Sequence, residues 1–204
     1  YRWTSSGEST YEIEEIDREE RGTKITFKLK DEYKEFVEEW RVESILQKYS
    51  NFVDFPVYIG EKKINKVEAI WQKNKDKVSD EELKEFYKFI SNDYQDPMEH
   101  LHLNIEGNVN FNALIFIPES APPAMFTDVH EKSLQLYSSK VFINDDAKNL
   151  LPEYLRFVKG VVDTEDLPLN VSREVTQNSQ VMAKINQVLT KRILGLLEEM
   201  AEKR

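Results

Sequence analysis

Apolar extended runs alternate with amphipathic helical stretches between residues 61 and 175. Four strand-like runs occur, at residues 101–106, 110–117, 134–143 and 157–162. A capping box at Ser79-Asp-Glu-Glu82 predicts the start of a helix ahead of these runs. Strands interleaved with helices predict an α/β fold, specifically a three-layer α/β sandwich. The three- and four-residue spacing of apolar residues from Met182 to Met200 predicts a long helix, which we expect to act as a connector.

Residues 1–60 have a different pattern and are expected to belong to a separate α+β unit. Ile25, Phe27 and Leu29 alternate in strict period two, which predicts a strand of an antiparallel pair. A helix and then a short strand over 52–59 are predicted to follow. Because these few elements do not enclose a core, we expect them to be the end of a larger domain.

Composition excludes several classes of function. The chain has 28 basic and 38 acidic residues, a formal net charge of -10, and no basic tract, which disfavours binding to nucleic acid. It has no cysteine, which excludes disulfides, cysteine-ligated zinc and a thiol nucleophile. No apolar run approaches the roughly 20 residues of a membrane span, and no phosphate loop, serine-hydrolase elbow or HExxH pair occurs.

The segment Asp166-Leu-Pro-Leu-Asn-Val-Ser-Arg-Glu174 is the strongest candidate for a functional site. It places Asn170 and Arg173 where a loop meets a helix, and Gln177 lies on the same helix face as Arg173, four residues later. Guanidinium, carboxamide and a helix N-terminus together suit a phosphate-like anion. The alternative is an ordinary capped helix start with a solvated arginine.

Two further groups of residues have both a functional and an ordinary interpretation. Trp71, together with Met125 and Phe126 in the proline-containing loop, forms either an exposed patch for a partner protein or normal core packing. His100 and His102 are spaced to point the same way from a strand. With only 3 histidines and no third ligand in view, they are read as ordinary strand residues, and no metal site is predicted.

The run Val161-Val-Asp-Thr-Glu-Asp-Leu-Pro-Leu-Asn-Val-Ser-Arg-Glu174 resembles the catalytic-loop signature of the heat-shock protein 90 chaperones. Segments that match the family in order are Ala69-Ile-Trp71, Glu85-Phe-Tyr87, Phe116-Ile-Pro118, Val141-Phe-Ile143 and Leu155-Arg-Phe157. The resemblance spans essentially the whole chain. A topoisomerase- or mismatch-repair-type relative is disfavoured by the acidic balance and by arginine in place of a lysine finger.

The resemblance implies two partial domains. Residues 1–60 would be the C-terminal end of the N-terminal ATP-binding domain, with Gly22 and Thr23 beside the adenine pocket. Residues 61–204 would be the large part of the middle domain and the start of its helical connector. Arg173 would contact the γ-phosphate of ATP in the closed state, supported by Asn170 and Gln177. ATP with Mg²⁺ is expected to bind the full-length protein, and this segment alone is expected to bind none.

Partners and location also follow from the resemblance. Client proteins and cochaperones are the expected partners, together with a homodimer formed through a C-terminal domain outside this chain; no membrane partner is expected. Tyr58-Ile-Gly-Glu-Lys-Lys-Ile64 would join the domains directly, without a long charged linker, as in bacterial and mitochondrial members. A bacterial cytoplasmic location is therefore expected, with the mitochondrion as the alternative.

Overall fold

The computed structural model describes residues 1–65, 68–120, 133–145, 149–167 and 180–203. The chain divides into two compact units, residues 1–36 and 37–204. Among the described helices, none combines the length and the apolar character needed to cross a membrane.

The first unit contains one small antiparallel pair of strands. Strand β1 (Arg2–Thr4) pairs with β2 (Glu12–Glu14), and Trp3 lies opposite Ile13. The strand predicted at Ile25, Phe27 and Leu29 is wrong, because residues 23–30 are not extended in any sheet. Ile25 and Phe27 are 81% and 75% exposed. An alternating apolar pattern forms a strand only when a partner strand and a core are available to it.

The second unit contains three helices and seven strands within its described residues. The helices are α1 (Glu39–Ser50), α2 (Asp80–Ser91) and α3 (Gln180–Glu202). The strands are β3 (Tyr58–Ile59), β4 (Lys62–Lys63), β5 (Pro97–Ile105), β6 (Phe111–Pro118), β7 (Leu134–Ser138), β8 (Val141–Asn144) and β9 (Lys159–Asp163). Short 3-10 turns occur at Asp31–Val37, which crosses the boundary between the units, and at Ile70–Gln72, Lys75–Lys77 and Glu153–Leu155.

The main sheet has five strands in the order β5-β6-β9-β7-β8. Strands β7 and β9 are parallel, and the other neighbouring pairs are antiparallel. The strand predicted over 52–59 is reduced to the two residues of β3, paired with β4. Asn65 explains the difference: its side chain accepts from Val57 N at 2.8 Å and donates to Val53 O and Phe55 O, so this backbone bonds to a side chain instead of to a strand.

Helices cover both faces of the five-stranded sheet, which confirms the predicted α/β fold. On one face Ile115 of β6 and Val162 of β9 share a core with Ile185 and Leu189 of α3. On the other face, alternate residues of the same strands pack in a second core with Trp71 and with α2. Strand β6 is therefore apolar from Ala113 to Pro118, because both of its faces are buried there.

The predicted start of α2 is confirmed. Ser79 Oγ accepts from Glu82 N at 3.3 Å, and Glu82 Oε2 accepts from Ser79 N at 2.9 Å, so both halves of the capping box are present. At the other end, Asn92 adopts a left-handed conformation and its N–H donates to Lys88 O.

Gly160 allows β9 to pass through the middle of the sheet. Its φ is +150°, and a Cβ atom there would lie 2.3 Å from Leu114 O on the neighbouring strand. Any other residue would push β6 and β9 apart. The close approach places the end of β9, at Asp163, between two paired neighbours, and the candidate loop begins three residues later at Asp166.

Candidate functional site at the end of strand β9

The described residues include only the first two residues of the candidate segment, Asp166 and Leu167. The described part resumes at Gln180, where α3 begins. Asn170, Arg173 and Gln177 lie outside the described residues. Their predicted roles therefore stay predictions.

Asp163, the last residue of β9, is a buried carboxylate bonded to neutral donors. Its Oδ2 accepts from Trp71 Nε1 at 2.9 Å, from Gln72 Nε2 at 2.8 Å and from Lys140 N at 3.2 Å. Asp163 is 2% exposed. A buried carboxylate is tolerated when several N–H groups replace its water shell. Asp163 therefore joins β9, the turn at residues 70–72 and the β7–β8 turn at one point.

The β7–β8 turn is held in a conformation that favours glycine. Ser139 and Lys140 have φ values of +49° and +64°, which suit a tight hairpin but cost energy for residues with a side chain. Lys140 offsets this cost with two contacts: its N–H donates to Asp163, and its Nζ forms an ion pair with Asp54. The turn divides the extended run predicted over 134–143 into two strands.

Tyr137 is the strand partner of Asp163 in the parallel β7–β9 pair. Its ring centroid is 5.1 Å from that of Trp71, and its hydroxyl donates to Gln135 Oε1 at 2.8 Å. Burial raises the pKa of Tyr137 far above its ordinary value, and the nearby charge of Asp163 raises it further. Tyr137 therefore remains a neutral hydrogen-bond donor across the physiological pH range.

Thr164 and Asp166 tie the residues after β9 to the β5–β6 turn. Thr164 Oγ1 donates to Asn110 O at 2.6 Å and accepts from Asp166 N at 3.1 Å. Asp166 Oδ2 accepts from Asn110 N at 2.6 Å. Within the turn, Gly107 N donates to Asn110 Oδ1 at 3.0 Å. We refer to the set of Thr164, Asp166 and Asn110 as the clamp.

A cleft of about 510 Å³ lies beside the clamp. Its described lining contains four carboxylates and no lysine or arginine: Gln72, Asn104, Ile105, Glu106, Asn110, Phe111, Asn112, Asp163, Thr164, Glu165 and Asp166. Such a lining repels a phosphate, so a cation from another segment is needed to bind one here. Among the described residues, no group of three or more His, Asp or Glu is arranged to hold a metal ion.

The prediction that Trp71 contributes to an exposed partner patch is wrong. Trp71 is 0% exposed, packs edge-on against Phe52 with ring centroids 4.6 Å apart, and donates its indole N–H to Asp163. A large aromatic next to a helical pattern is compatible with core or surface, and only the tertiary packing distinguishes the two. Met125 and Phe126, the other members of that patch, lie outside the described residues.

His102 has a structural contact. Its Nε2 lies 3.1 Å from Trp71 O, an acceptor, which selects the tautomer protonated at Nε2. Burial lowers the pKa of His102, and the nearby charges of His100 and Lys75 lower it further. The neutral form therefore supports the turn that carries Trp71.

Gly22 and Thr23, the predicted adenine-side contacts, are exposed in the first unit. Gly22 has a φ of +144°, and its carbonyl accepts from Arg18 Nη1 at 2.9 Å. Their role as nucleotide contacts therefore stays a prediction.

Sequence reasoning missed the residues that organise the loop's base, namely Asp163, Thr164 and Asn110. Asp163 had a visible signal, because a carboxylate directly after the apolar run Gly160-Val-Val162 is expected to end a buried strand beside hydrogen-bond donors. No sequence signal pointed to Asn110, because its hydrogen-bond partners are 54 and 56 residues away in sequence.

Comparisons with known proteins show the family of the chain. The family model for "Hsp90 protein" matches residues 57–204. The chain is 57% identical over 204 residues to the chaperone protein HtpG of Chlorobium phaeobacteroides, covering 98% of the chain and 33% of that relative. It is 44% identical over 212 residues to the chaperone protein HtpG of Escherichia coli, covering 98% and 34%. The chain thus spans about one third of the length of the curated relatives it matches.

Proposed function

Because the chain belongs to the Hsp90 family, we propose that it is part of an ATP-dependent molecular chaperone. In this proposal residues 1–60 contribute to the ATP-binding domain and residues 61–204 to the middle domain. Client proteins and cochaperones are its partners, a homodimer forms through regions outside the chain, and the protein acts in the bacterial cytoplasm. The observation that carries the proposal is the family match over 57–204, which includes the whole run from Val161 to Glu174.

Arg173 is the residue we assign to the chemistry. It supplies positive charge to the γ-phosphate of ATP, the substrate, when the nucleotide-bearing domain docks on the end of β9; Asn170 and Gln177 support it. The described lining of the neighbouring cleft is acidic, so in this proposal the positive charge comes from Arg173 and not from the cleft. In this proposal ATP binds together with Mg²⁺ in the full-length protein.

The test is the Arg173→Ala variant of the full-length protein. We expect ATP turnover to fall by about 10²–10³-fold while the nucleotide dissociation constant stays near that of the parent protein, because the contact forms only in the closed state. Arg192→Ala removes the same charge from an exposed position on α3 and serves as the matched control. Unchanged turnover in Arg173→Ala would refute the assignment.

The alternative is a binding module for clients or cochaperones with no direct catalytic role. This alternative proposed three contact residues for the partner, and the burial of Trp71 removes one of them. The alternative therefore depends on Met125 and Phe126. Replacing both with serine separates the alternatives: loss of client protection with intact ATP turnover supports the binding module. Loss of both activities together argues against a separate binding role.

A further inference from the structure

Residues 39–65 form a segment that is held together by bonds within itself. An ion pair joins α1 to the residues that follow it, with Lys62 Nζ lying 2.7 Å from Glu43 Oε1. Strands β3 and β4 pair with each other. The Asn65 side chain bonds to the backbone of three residues within 53–57. We refer to residues 39–65 as the strap, because these bonds keep its shape without the five-stranded sheet.

Phe52 is the buried anchor of the strap. It is 4% exposed, and its ring packs against those of Trp71, Phe86 and Tyr137, with centroids 4.6, 6.1 and 5.5 Å away. Among residues 1–51, all of which the structure describes, no apolar residue is buried. Loss of this one ring from the core would therefore leave the preceding residues without a buried apolar anchor.

An ion pair attaches the strap to the turn between β7 and β8. Lys140 Nζ pairs with Asp54, although Lys140 has a φ of +64°, a left-handed value that glycine adopts at lower cost. Close by, Tyr49 of α1 packs edge-on against Phe142 of β8, with ring centroids 5.6 Å apart. The Asp54 side chain is 70% exposed, so water and salt weaken the ion pair. This attachment can therefore be broken at little cost.

The strap spans a cleft between its attachments. The cleft has a volume of about 790 Å³ and lies between residues 52–65 of the strap and the part of the unit that contains Gln72 and Lys140. On the strap, Phe55 and Tyr58 are 80% and 56% exposed. The strap is thus held at points and does not pack on the sheet along its whole length.

The strap has a place in two bodies. By its contacts it is part of the compact unit that begins at Val37, whereas the proposed function assigns residues 1–60 to the ATP-binding domain. A segment that is bonded within itself and attached at few points can leave the sheet as one piece. We propose that the strap is a detachable element, docked on the β7–β8 hairpin by Phe52 and the Lys140–Asp54 pair, and that its release is a step of the ATP cycle. This inference rests on the proposed function.

Cross-linking of the full-length protein, in a background without other cysteines, tests the docked state. Lys48→Cys and Asn144→Cys supply the thiols, because Lys48 Nζ lies 5.5 Å from the centroid of the Phe142 ring and Asn144 follows on the same face of β8. A short bismaleimide is expected to join them. Phe52→Ala should lower the yield at least about fivefold by removing the anchor. Phe55→Ala, from the exposed part of the strap, is the matched control and should leave the yield unchanged.

Glycine variants separate the ion pair from the backbone strain of the turn. Lys140→Gly relieves the left-handed strain but removes the partner of Asp54, and it should lower the yield about two- to threefold. Ser139→Gly relieves strain at a φ of +49° and keeps the ion pair, so its yield should equal that of the parent protein. Raised salt should affect the parent protein and not Lys140→Gly. Equal yields in the two glycine variants would show that the ion pair does not fasten the strap.

Trapping the strap tests its release. With a cleavable bismaleimide, the joined protein is expected to turn over ATP at least about tenfold more slowly and to recover when the linker is cut. The proposal fails if the parent pair does not cross-link, if Phe52→Ala cross-links as well as Phe55→Ala, or if the joined protein turns over ATP normally. Should Phe52→Ala fail to fold, Lys140→Gly decides. Normal turnover in Arg173→Ala would instead refute the proposed function and leave the cross-linking result standing.

Discussion

Removing the carboxylate of Asp163 is expected to destabilise the second unit strongly, because three N–H groups depend on it. Trp71 is fully buried, and its Nε1–H donates to Asp163. A buried donor left unsatisfied costs about 1–3 kcal/mol, and hydrogen bonds to charged groups contribute about 1.5–3 kcal/mol each. Gln72 is only half-buried and can turn to water. We therefore expect Asp163→Ala to lower the free energy of unfolding by about 3–5 kcal/mol.

Asp163→Asn is expected to lower the free energy of unfolding less than Asp163→Ala does. An asparagine can place its carbonyl oxygen toward Trp71 and Gln72, but it loses the charge and turns its NH₂ toward Lys140 N. We expect Asp163→Asn to lower the free energy of unfolding by about 2 kcal/mol. Glu165→Ala, which removes an exposed carboxylate two residues away, should change stability by less than about 0.5 kcal/mol and is the control.

The assay is urea unfolding followed by far-UV circular dichroism and tryptophan fluorescence. Trp3 and Trp40 are 64% and 65% exposed, so Trp71, at 0%, reports on the core. A cycle with Trp71→Phe, read by circular dichroism, should give a coupling energy of about 1–2 kcal/mol with Asp163→Ala. A loss below about 1 kcal/mol in Asp163→Ala at an unchanged m-value, or strict additivity in the cycle, would refute the reasoning.

Three other outcomes follow from the same structure. Gly160→Ala should prevent stable folding, seen as loss of the cooperative transition, because its Cβ would lie 2.3 Å from Leu114 O; Gly195→Ala, with open space around it in α3, should be neutral or stabilising by up to about 1 kcal/mol. Because the pKa of His102 is lowered in the folded state, the unfolded chain binds a proton at this residue more readily than the folded chain does. The stability that His102 contributes is therefore complete above its ordinary pKa of 6.5 and is lost as the pH falls below that value. His102→Gln should flatten the dependence of the unfolding midpoint on pH, and a slope equal to that of the parent protein would contradict this reasoning. Ser79→Ala should cost about 1 kcal/mol in urea unfolding by removing the cap of α2, and a change below about 0.3 kcal/mol would show that the cap is dispensable.

Much of the second unit could be predicted because its signals are local. The capping box at Ser79, the apolar run of β6 and the apolar spacing of α3 each depend on residues within a few positions of one another. The predicted strand at Ile25 and Phe27 failed for the complementary reason, because a strand needs partners that an alternating pattern does not guarantee. The predicted exposure of Trp71 failed because side-chain burial is decided by distant segments.

The sequence by itself determined the fold class, the family and the position of the Arg173 segment between β9 and α3, since periodicity and motif are properties of neighbouring residues. Only the tertiary structure decided which hydrogen bonds hold the residues at the end of β9, just before that segment. Asp163 meets Trp71 across 92 positions, and Thr164 meets Asn110 across 54. Hydrogen bonds of this kind depend on distances and angles that the packed sheet sets, and the sequence spacing of the partners carries no information about them.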